Sequence, residues 1–117
     1  MRVGLTQALG LAMTLSELQA KSASSSELVL PLPEAIAALR LLEQSGDTLL
    51  GWEGWLRRPD GRLGYSARHQ GTVDLSHMSP SEAYALAKST MQQSQAEHDS
   101  SPEVPGSELL FYITGEA

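Results

Sequence analysis

The sequence lacks cysteine, and several other features that would narrow its function are scarce. Its 117 residues contain no Cys, which excludes disulfides, thiol catalysis, iron–sulfur clusters and cysteine-based zinc sites. No apolar run approaches the roughly 18–20 residues of a membrane-spanning helix. Aromatic residues are few, with two Trp, three Tyr and one Phe, so the position of each one is informative. These absences are compatible with a reducing cytoplasm and argue against a disulfide-stabilised secreted protein.

Basic residues are also scarce, and this bears on the choice of partner. The chain has 8 Lys and Arg against 14 Asp and Glu, a formal charge of −6. A direct nucleic-acid ligand is disfavoured, because phosphate binding requires a basic surface. Length predicts one domain. Composition therefore predicts a small soluble acidic protein that binds neither nucleic acid nor membranes.

The N-terminal segment, residues 1–26, is predicted to be an appendage to the main domain. It has two interpretations: a secretion signal, for which no convincing cleavage site follows, or a short helix. Thr14 and Glu17 have the spacing of a capping box, and the serine-rich run 22–26 is typical of a linker. The helical interpretation rests on one apolar face at i, i+4 and i+7, formed by Leu5, Leu9 and Ala12.

Residues 27–117 are predicted to form an α+β domain with a small antiparallel or mixed sheet and two main helices packed on one face. The first helix begins at Pro33 and ends before Gly46. The pattern then predicts a hairpin, in which strand 48–57 leads through a DG turn to strand 63–68. Gly71 to Leu75 is a candidate for a further short strand.

The strongest local signal opens the second main helix. Ser79 and Glu82 have capping-box spacing around Pro80, which predicts a helix from Pro80 to about Glu97. Its distal part, QQSQAEH, is polar all round and is expected either to project into solvent or to fray. The apolar run Leu109 to Ile113 predicts a central, well-covered strand near the end of the chain.

No catalytic or metal-binding set is evident. His69, His77 and His98 lack the spacing that places two ligands on one helix face, and we expect them to be exposed loop residues. Glu53 is the one acid with the surroundings of a general base, because two indoles flank it. It has no obvious partner acid or nucleophile. We therefore predict a protein that is not an enzyme and has neither a metal nor a cofactor, with a small hydrolase using Glu53 as an alternative.

The segment GWEGW carries the clearest functional signal. Trp52 and Trp55 have opposite parity in a strand, so they should point to opposite faces of the sheet unless a bulge intervenes. One interpretation is that tryptophan packs the domain while the glycines allow a close neighbour. The other is that an exposed Trp beside Glu53 forms a hot spot for a protein partner.

Charge is concentrated in the last third of the chain. Residues 76–117 hold six acids against Lys88 alone, a balance of −5. This region is either an ordinary solvated surface or an acidic face that steers a basic partner. Taken together, the candidate partner-binding residues are Trp52, Glu53, Trp55, Asp60, Tyr65, Glu97, Asp99 and Glu103.

The block PLPEAIAALRLLEQSGDTLLGWEGWLRRPDGRLGYS resembles the bacterial immunity proteins of polymorphic toxin systems, and more narrowly the family numbered forty in that series. The similarity continues through SPSEAYALAKSTMQQ and LLFYIT and covers roughly residues 28–114. Gly51 matches a family glycine, Glu53 stands at an acidic position and Trp55 at an aromatic one. Trp52 replaces a usual second glycine, and no Trp follows Tyr65.

The resemblance implies a cytoplasmic, non-catalytic protein that binds and neutralises a cognate toxin. A stand-alone α+β binding or regulatory domain without a toxin is the alternative that the residues leave open. Neither interpretation predicts the oligomeric state.

Overall fold

The chain folds into a four-stranded antiparallel sheet with helices on one face. The computed structural model describes residues 14–72 and 77–116. The elements of the described chain are α1 (Leu15–Lys21), β1 (Val29–Leu30), α2 (Leu32–Gln44), β2 (Thr48–Arg57), β3 (Leu63–Thr72), α3 (Pro80–Ser100) and β4 (Glu108–Glu116). The strand order is β1–β4–β2–β3, and all three pairings are antiparallel. This confirms the predicted α+β class and identifies the sheet as antiparallel.

Two helices begin at capping boxes that the sequence predicted. At the start of α3, the Ser79 hydroxyl accepts the Glu82 backbone N–H at 3.2 Å, and the Glu82 carboxylate accepts the Ser79 N–H at 2.9 Å. Thr14 and Glu17 form the same pair of bonds at α1. Each box satisfies N–H groups that the first helical turn leaves without a partner.

The core lies between the sheet and the helices. We call this side of the sheet, with the helices packed on it, the helical layer. Phe111 and Trp52 meet edge to face with ring centroids 5.3 Å apart. Across this layer the Tyr84 hydroxyl donates to the Asp47 carbonyl at 2.7 Å, which ties α3 to the turn between α2 and β2. The core therefore combines apolar burial with hydrogen bonds that fix the helices on the sheet.

Strand β3 is longer and more irregular than the sequence predicts. It continues to Thr72 rather than ending at Arg68, and the rest of the candidate strand, 73–75, lies outside the described residues. Trp55 pairs with Tyr65 and Glu53 with Gln70, so residues 66–69 bulge out opposite Gly54. A side chain at Gly54 would collide with the backbone of His69. Glycine is therefore required at this position of β2, because the β3 bulge packs directly against it.

The distal part of the second main helix is largely exposed, as expected, but it does not fray and His98 within it is buried. Helix α3 continues to Ser100, and His98 near its end is 5 % exposed. The His98 Nε2 atom lies 3.0 Å from the Ser107 carbonyl oxygen. The sequence pattern does not predict this contact, because a polar residue in a polar segment is normally exposed. Here the His98 ring is buried by the loop before β4.

The described part of the N-terminal segment contacts the domain. Leu18 of α1 is fully buried in the main core. The Ser22 hydroxyl accepts the Val29 N–H at 2.8 Å and donates to the Glu27 carbonyl at 2.6 Å. The predicted helical face formed by Leu5, Leu9 and Ala12 lies outside the described residues, and the boundary at residue 27 stays a prediction. No helix within residues 14–72 and 77–116 has the length and hydropathy to cross a membrane.

Candidate functional site

The two tryptophans lie on opposite faces of β2. Trp52 is 3 % exposed in the helical layer, and its indole N–H donates to the Thr90 hydroxyl of α3 at 3.1 Å. Trp55 is half-buried on the other face, as the odd spacing predicts. We call this second face, away from α2 and α3, the open face. Trp52 therefore serves the core, whereas Trp55 presents part of its ring on the other face, with its Nε1 atom buried and without a hydrogen-bond partner among the described residues.

The open face is ordered in rows across β4, β2 and β3. The strand register gives the rows from one end of the sheet to the other: Thr114–Gly51, Tyr112–Glu53–Gln70, Leu110–Trp55–Tyr65 and Glu108–Arg57–Leu63. Residues directly opposite in an antiparallel pair have Cβ atoms roughly 4.5–5.5 Å apart, so each row is a set of contacting neighbours.

Three aromatic side chains form the centre of this face, and we call them the aromatic cluster. The Trp55 ring lies 5.4 Å from the Tyr65 ring and 5.8 Å from the Tyr112 ring, both in edge-to-face arrangements. Tyr65 is 70 % exposed. Buried Leu110 lies directly opposite Trp55 in the register. Amphipathic aromatic rings on an apolar base are typical of protein interfaces.

Sequence reasoning missed Tyr112 as a member of this site. The apolar run around it was interpreted as a covered strand, without separating its two faces. Strand parity would have found it, because Phe111 packs on Trp52 in the core and the next residue must face the other way.

Two acids on the open face have different surroundings. Glu108 accepts two hydrogen bonds from the Arg57 guanidinium, the shorter at 2.7 Å. Glu53 lies between Tyr112 and Gln70 in the register, and its side chain makes no hydrogen bond or ion pair with other described residues. The fourth row is thus neutral, whereas the second row carries a negative charge.

A shallow concavity of about 380 Å³ opens beside Glu53. Its lining includes Gly71, where a Cβ atom would collide with the Trp52 indole. Glycine is therefore required there to admit the Trp52 ring. The lining residues are Leu50, Gly51, Trp52, Glu53, Gln70, Gly71 and Thr114.

Asp60 lies in the exposed turn between β2 and β3. Its carboxylate accepts the Arg62 backbone N–H at 3.0 Å and the Arg62 guanidinium at 2.8 Å. The backbone bond and then the side-chain bond are the main reasons that the pKa of Asp60 lies below its usual value. Asp60 is therefore an ordered turn residue at one end of the hairpin.

The three acids predicted to steer a partner do not lie together on the open face. Glu97 and Asp99 are exposed on α3, in the layer on the other side of the sheet from Trp55. Glu103 instead binds the β3 bulge, accepting the Ser66 hydroxyl at 2.7 Å and the Ala67 N–H at 3.2 Å. Only the first two are therefore free of a structural role in β3.

The charge on Glu103 is stabilised by these bonds. Burial alone would raise the pKa of this carboxyl, but the donors Ser66, Ala67 and Arg68 outweigh it and the pKa lies below the usual value. The bulge and its acid also interrupt the outer backbone edge of β3, which discourages pairing with another strand.

The expectation of exposed loop histidines is wrong for His69 and His98, although His77 is exposed. His69 of β3 and His98 of α3 have ring centroids 6.4 Å apart. The Nε2 of His69 and the Nδ1 of His98 are buried without a hydrogen-bond partner in the described part of the chain. Burial is the main reason that the pKa of His69 is lowered.

Among the described residues, no group of three or more His, Asp or Glu side chains has an arrangement that would hold a metal ion.

No protein-family model, curated protein or solved structure matched this chain. The residues of the open face, rather than a relative, must therefore carry the argument about function. The resemblance to immunity proteins rests on the motifs quoted for it.

Proposed function

We propose that this protein is a cytoplasmic, non-catalytic immunity protein that binds a cognate bacterial toxin through the open face and neutralises it. The observation that carries the proposal is the aromatic cluster on the face without α2 and α3, where Tyr65 is 70 % exposed. Trp and Tyr are enriched among the residues that dominate binding energy at interfaces. The motif resemblance supplies the class of partner.

The size of the sheet supports a protein as the ligand. A standard interface buries about 800 Å² on each partner, which is more than the aromatic cluster alone can cover. The surrounding hairpin supplies polar rim groups, among them the Arg57–Glu108 pair and the exposed Asp60 turn. An apolar centre within a polar rim is the usual anatomy of such an interface.

The surroundings of Glu53 favour binding over catalysis. Its directly opposite neighbours in the register are Tyr112 and Gln70, so no second carboxylate or histidine is paired with it there. His69 and His98 lie between β3 and α3 and contact each other. General acid–base catalysis requires a second positioned group at the reacting atoms, and the described residues offer none beside Glu53.

The proposal is tested by co-expressing the chain with the toxin domain encoded beside it and measuring both growth rescue and binding. Trp55→Ala and Tyr65→Ala should each weaken binding, with Trp55→Ala costing about 2 kcal/mol or more, roughly a thirtyfold loss of affinity. Leu86→Ala is the matched control, because Leu86 is a partly exposed apolar residue of the helical layer.

The outcomes separate the alternatives. If Trp55→Ala and Tyr65→Ala remain folded and bind like the wild type, the open face is not the interface. If the neighbouring product is not bound and growth is not rescued, the immunity function is wrong. An open-face interaction with a host protein instead would identify a binding domain without a toxin.

The acids of α3 contribute to encounter rather than to the contact itself in this proposal. Replacing Glu97 and Asp99 by Gln and Asn should slow association with a basic toxin, and the effect should fade as salt is raised. Glu103 is left intact in this variant because it holds the β3 bulge. An unchanged association rate at low salt would assign these acids to an ordinary solvated surface.

A further inference from the structure

We infer that Glu53, with the aromatic cluster and the concavity beside it, receives an arginine side chain of the protein partner. The inference rests on the proposed function, since it names the chemistry that the bound protein must present to the open face. It begins from the contrast between two carboxylates on neighbouring strands. Glu108 has its own guanidinium in Arg57, whereas Glu53 faces a tyrosine and an amide in the register.

The nearby cations of the described chain are already engaged. Arg57 lies two rows from Glu53 in the register and is held by Glu108 at 2.7 Å. Arg68 of the β3 bulge donates to the Ser101 carbonyl at 2.6 Å. The acidic balance of the whole chain, −6, adds a field that attracts a positive group and repels an anion. A cation for Glu53 is therefore best supplied from outside.

The polar groups around Glu53 are suited to a donor-rich ligand. Gln70 uses its amide N–H to bind the Ser66 carbonyl at 2.6 Å, which leaves its carbonyl oxygen able to accept. Thr114 also lines the concavity, and a threonine hydroxyl can accept as well. Arginine has five N–H donors and no acceptor, so its guanidinium matches a carboxylate, an amide oxygen and a hydroxyl.

The neighbouring rings favour arginine over lysine. Tyr112 is the direct cross-strand neighbour of Glu53, and Trp55 lies two residues further along the same strand face. A planar guanidinium stacks on aromatic rings while it binds a carboxylate, whereas an ammonium is a compact and strongly hydrated charge. The concavity of about 380 Å³ is within the roughly 300–1,000 Å³ of small-molecule sites, so it can admit a guanidinium and part of its stem.

The test uses Nα-acetyl-arginine amide as the probe on the full chain, followed by NMR. Nα-acetyl-citrulline amide is the matched control probe, because it keeps the shape and removes the charge. We expect the arginine probe at millimolar concentration to shift the Trp55 indole and Tyr112 resonances, with a clearly weaker response to citrulline. Glu53→Gln should lower the affinity about tenfold, and Glu43→Gln, an exposed acid of α2, should leave it unchanged.

Nα-acetyl-lysine amide is the third probe. The inference is overturned if the arginine and citrulline probes act alike, if Glu53→Gln binds the arginine probe like the wild type, or if the lysine probe binds as tightly as the arginine probe. Thermal unfolding checks that Glu53→Gln is folded. Tyr112→Leu gives a second variant that removes a ring and keeps the charge, and it too should weaken arginine binding.

Failure of this inference is distinguishable from failure of the proposed function. If the toxin is bound and Glu53→Gln binds it with unchanged affinity, the arginine site is wrong and the immunity function stands. If arginine binds in a Glu53-dependent way while no toxin is bound or neutralised, the site stands and the immunity function is wrong.

Discussion

The two faces of strand β2 use the same residue type for opposite purposes. On the helical side, Trp52 meets Phe111 edge to face and its N–H is satisfied by Thr90. On the open side, Trp55 touches two tyrosines, and one of them is 70 % exposed. The comparison shows that burial and hydrogen bonding, rather than the presence of tryptophan, separate a packing residue from a candidate contact residue.

The largest expected effect comes from replacing the buried tryptophan on the helical side of β2. Trp52→Ala removes a buried ring and leaves a cavity, while the Thr90 hydroxyl loses the indole donor but keeps its bonds to the Leu86 and Ala87 carbonyls. We expect a loss of about 3–5 kcal/mol in the free energy of unfolding. Trp55→Ala should lose less, within the roughly 0.5–3 kcal/mol of ordinary substitutions. Urea denaturation of both variants measures the difference. Equal losses would mean that both faces are packed to the same degree.

The next effect concerns the glycine over which the Trp52 ring lies. Gly71→Ala places a Cβ atom against the indole, and we expect a loss of about 1–3 kcal/mol because the ring must move within a filled core. Gly64 of the same strand is the control, because a Cβ atom there meets nothing within 4 Å. Gly64→Ala should be neutral or slightly stabilising. If the two variants unfold at the same urea concentration, Trp52 does not occupy the position described.

A smaller effect tests how the helical layer is held at the start of α3. Ser79→Ala removes the hydroxyl that caps the helix, at a cost of about 1 kcal/mol. Ser89 lies exposed in the same helix without a capping role, so Ser89→Ala should leave stability unchanged or raise it slightly. Binding through the open face should be unaffected by either change. An unchanged denaturation midpoint for Ser79→Ala would contradict the capping box.

Local signals in the sequence predict much of this fold. The Ser79–Glu82 box, the DG turn and the opposite parity of Trp52 and Trp55 each depend on residues a few positions apart, and sequence spacing describes such contacts well. The α+β class follows from the order of these elements. The same parity rule applied to β4 would also have placed Tyr112 beside Trp55.

The features that sequence reasoning missed depend on distant partners. The bulge in β3 is held by Glu103, which is 37 residues from Ser66. No local sequence pattern predicts a contact over that separation. The acid looked like part of a charged surface because only its charge is visible in the sequence. His98 was expected in solvent for the same reason, since its burial depends on the loop to β4 and on His69.

The smallest expected effect concerns pH and the histidine buried between β3 and α3. Burial is the main reason that the pKa of His69 lies below its unfolded value of 6.5, and Arg68 and His98 act in the same direction. Glu97 and Glu103 oppose this lowering of the pKa, so we expect a modest effect. His69 therefore binds a proton more readily in the unfolded chain than in the folded protein. Stability is complete above about pH 6.5 and declines as pH falls towards the lower folded pKa.

Urea denaturation between about pH 7.5 and pH 5, the range in which histidine titrates, measures this decline. His69→Gln removes the titrating ring, so its stability should change less with pH than that of the wild type, whatever the substitution costs at neutral pH. His77→Gln is the control, because His77 is exposed and its loss should leave the pH dependence intact. Glu103 contributes a separate loss at more acidic pH, because its folded pKa lies below 4.5. An identical slope in wild type and His69→Gln would show that the buried ring is not the group that couples stability to pH in this range.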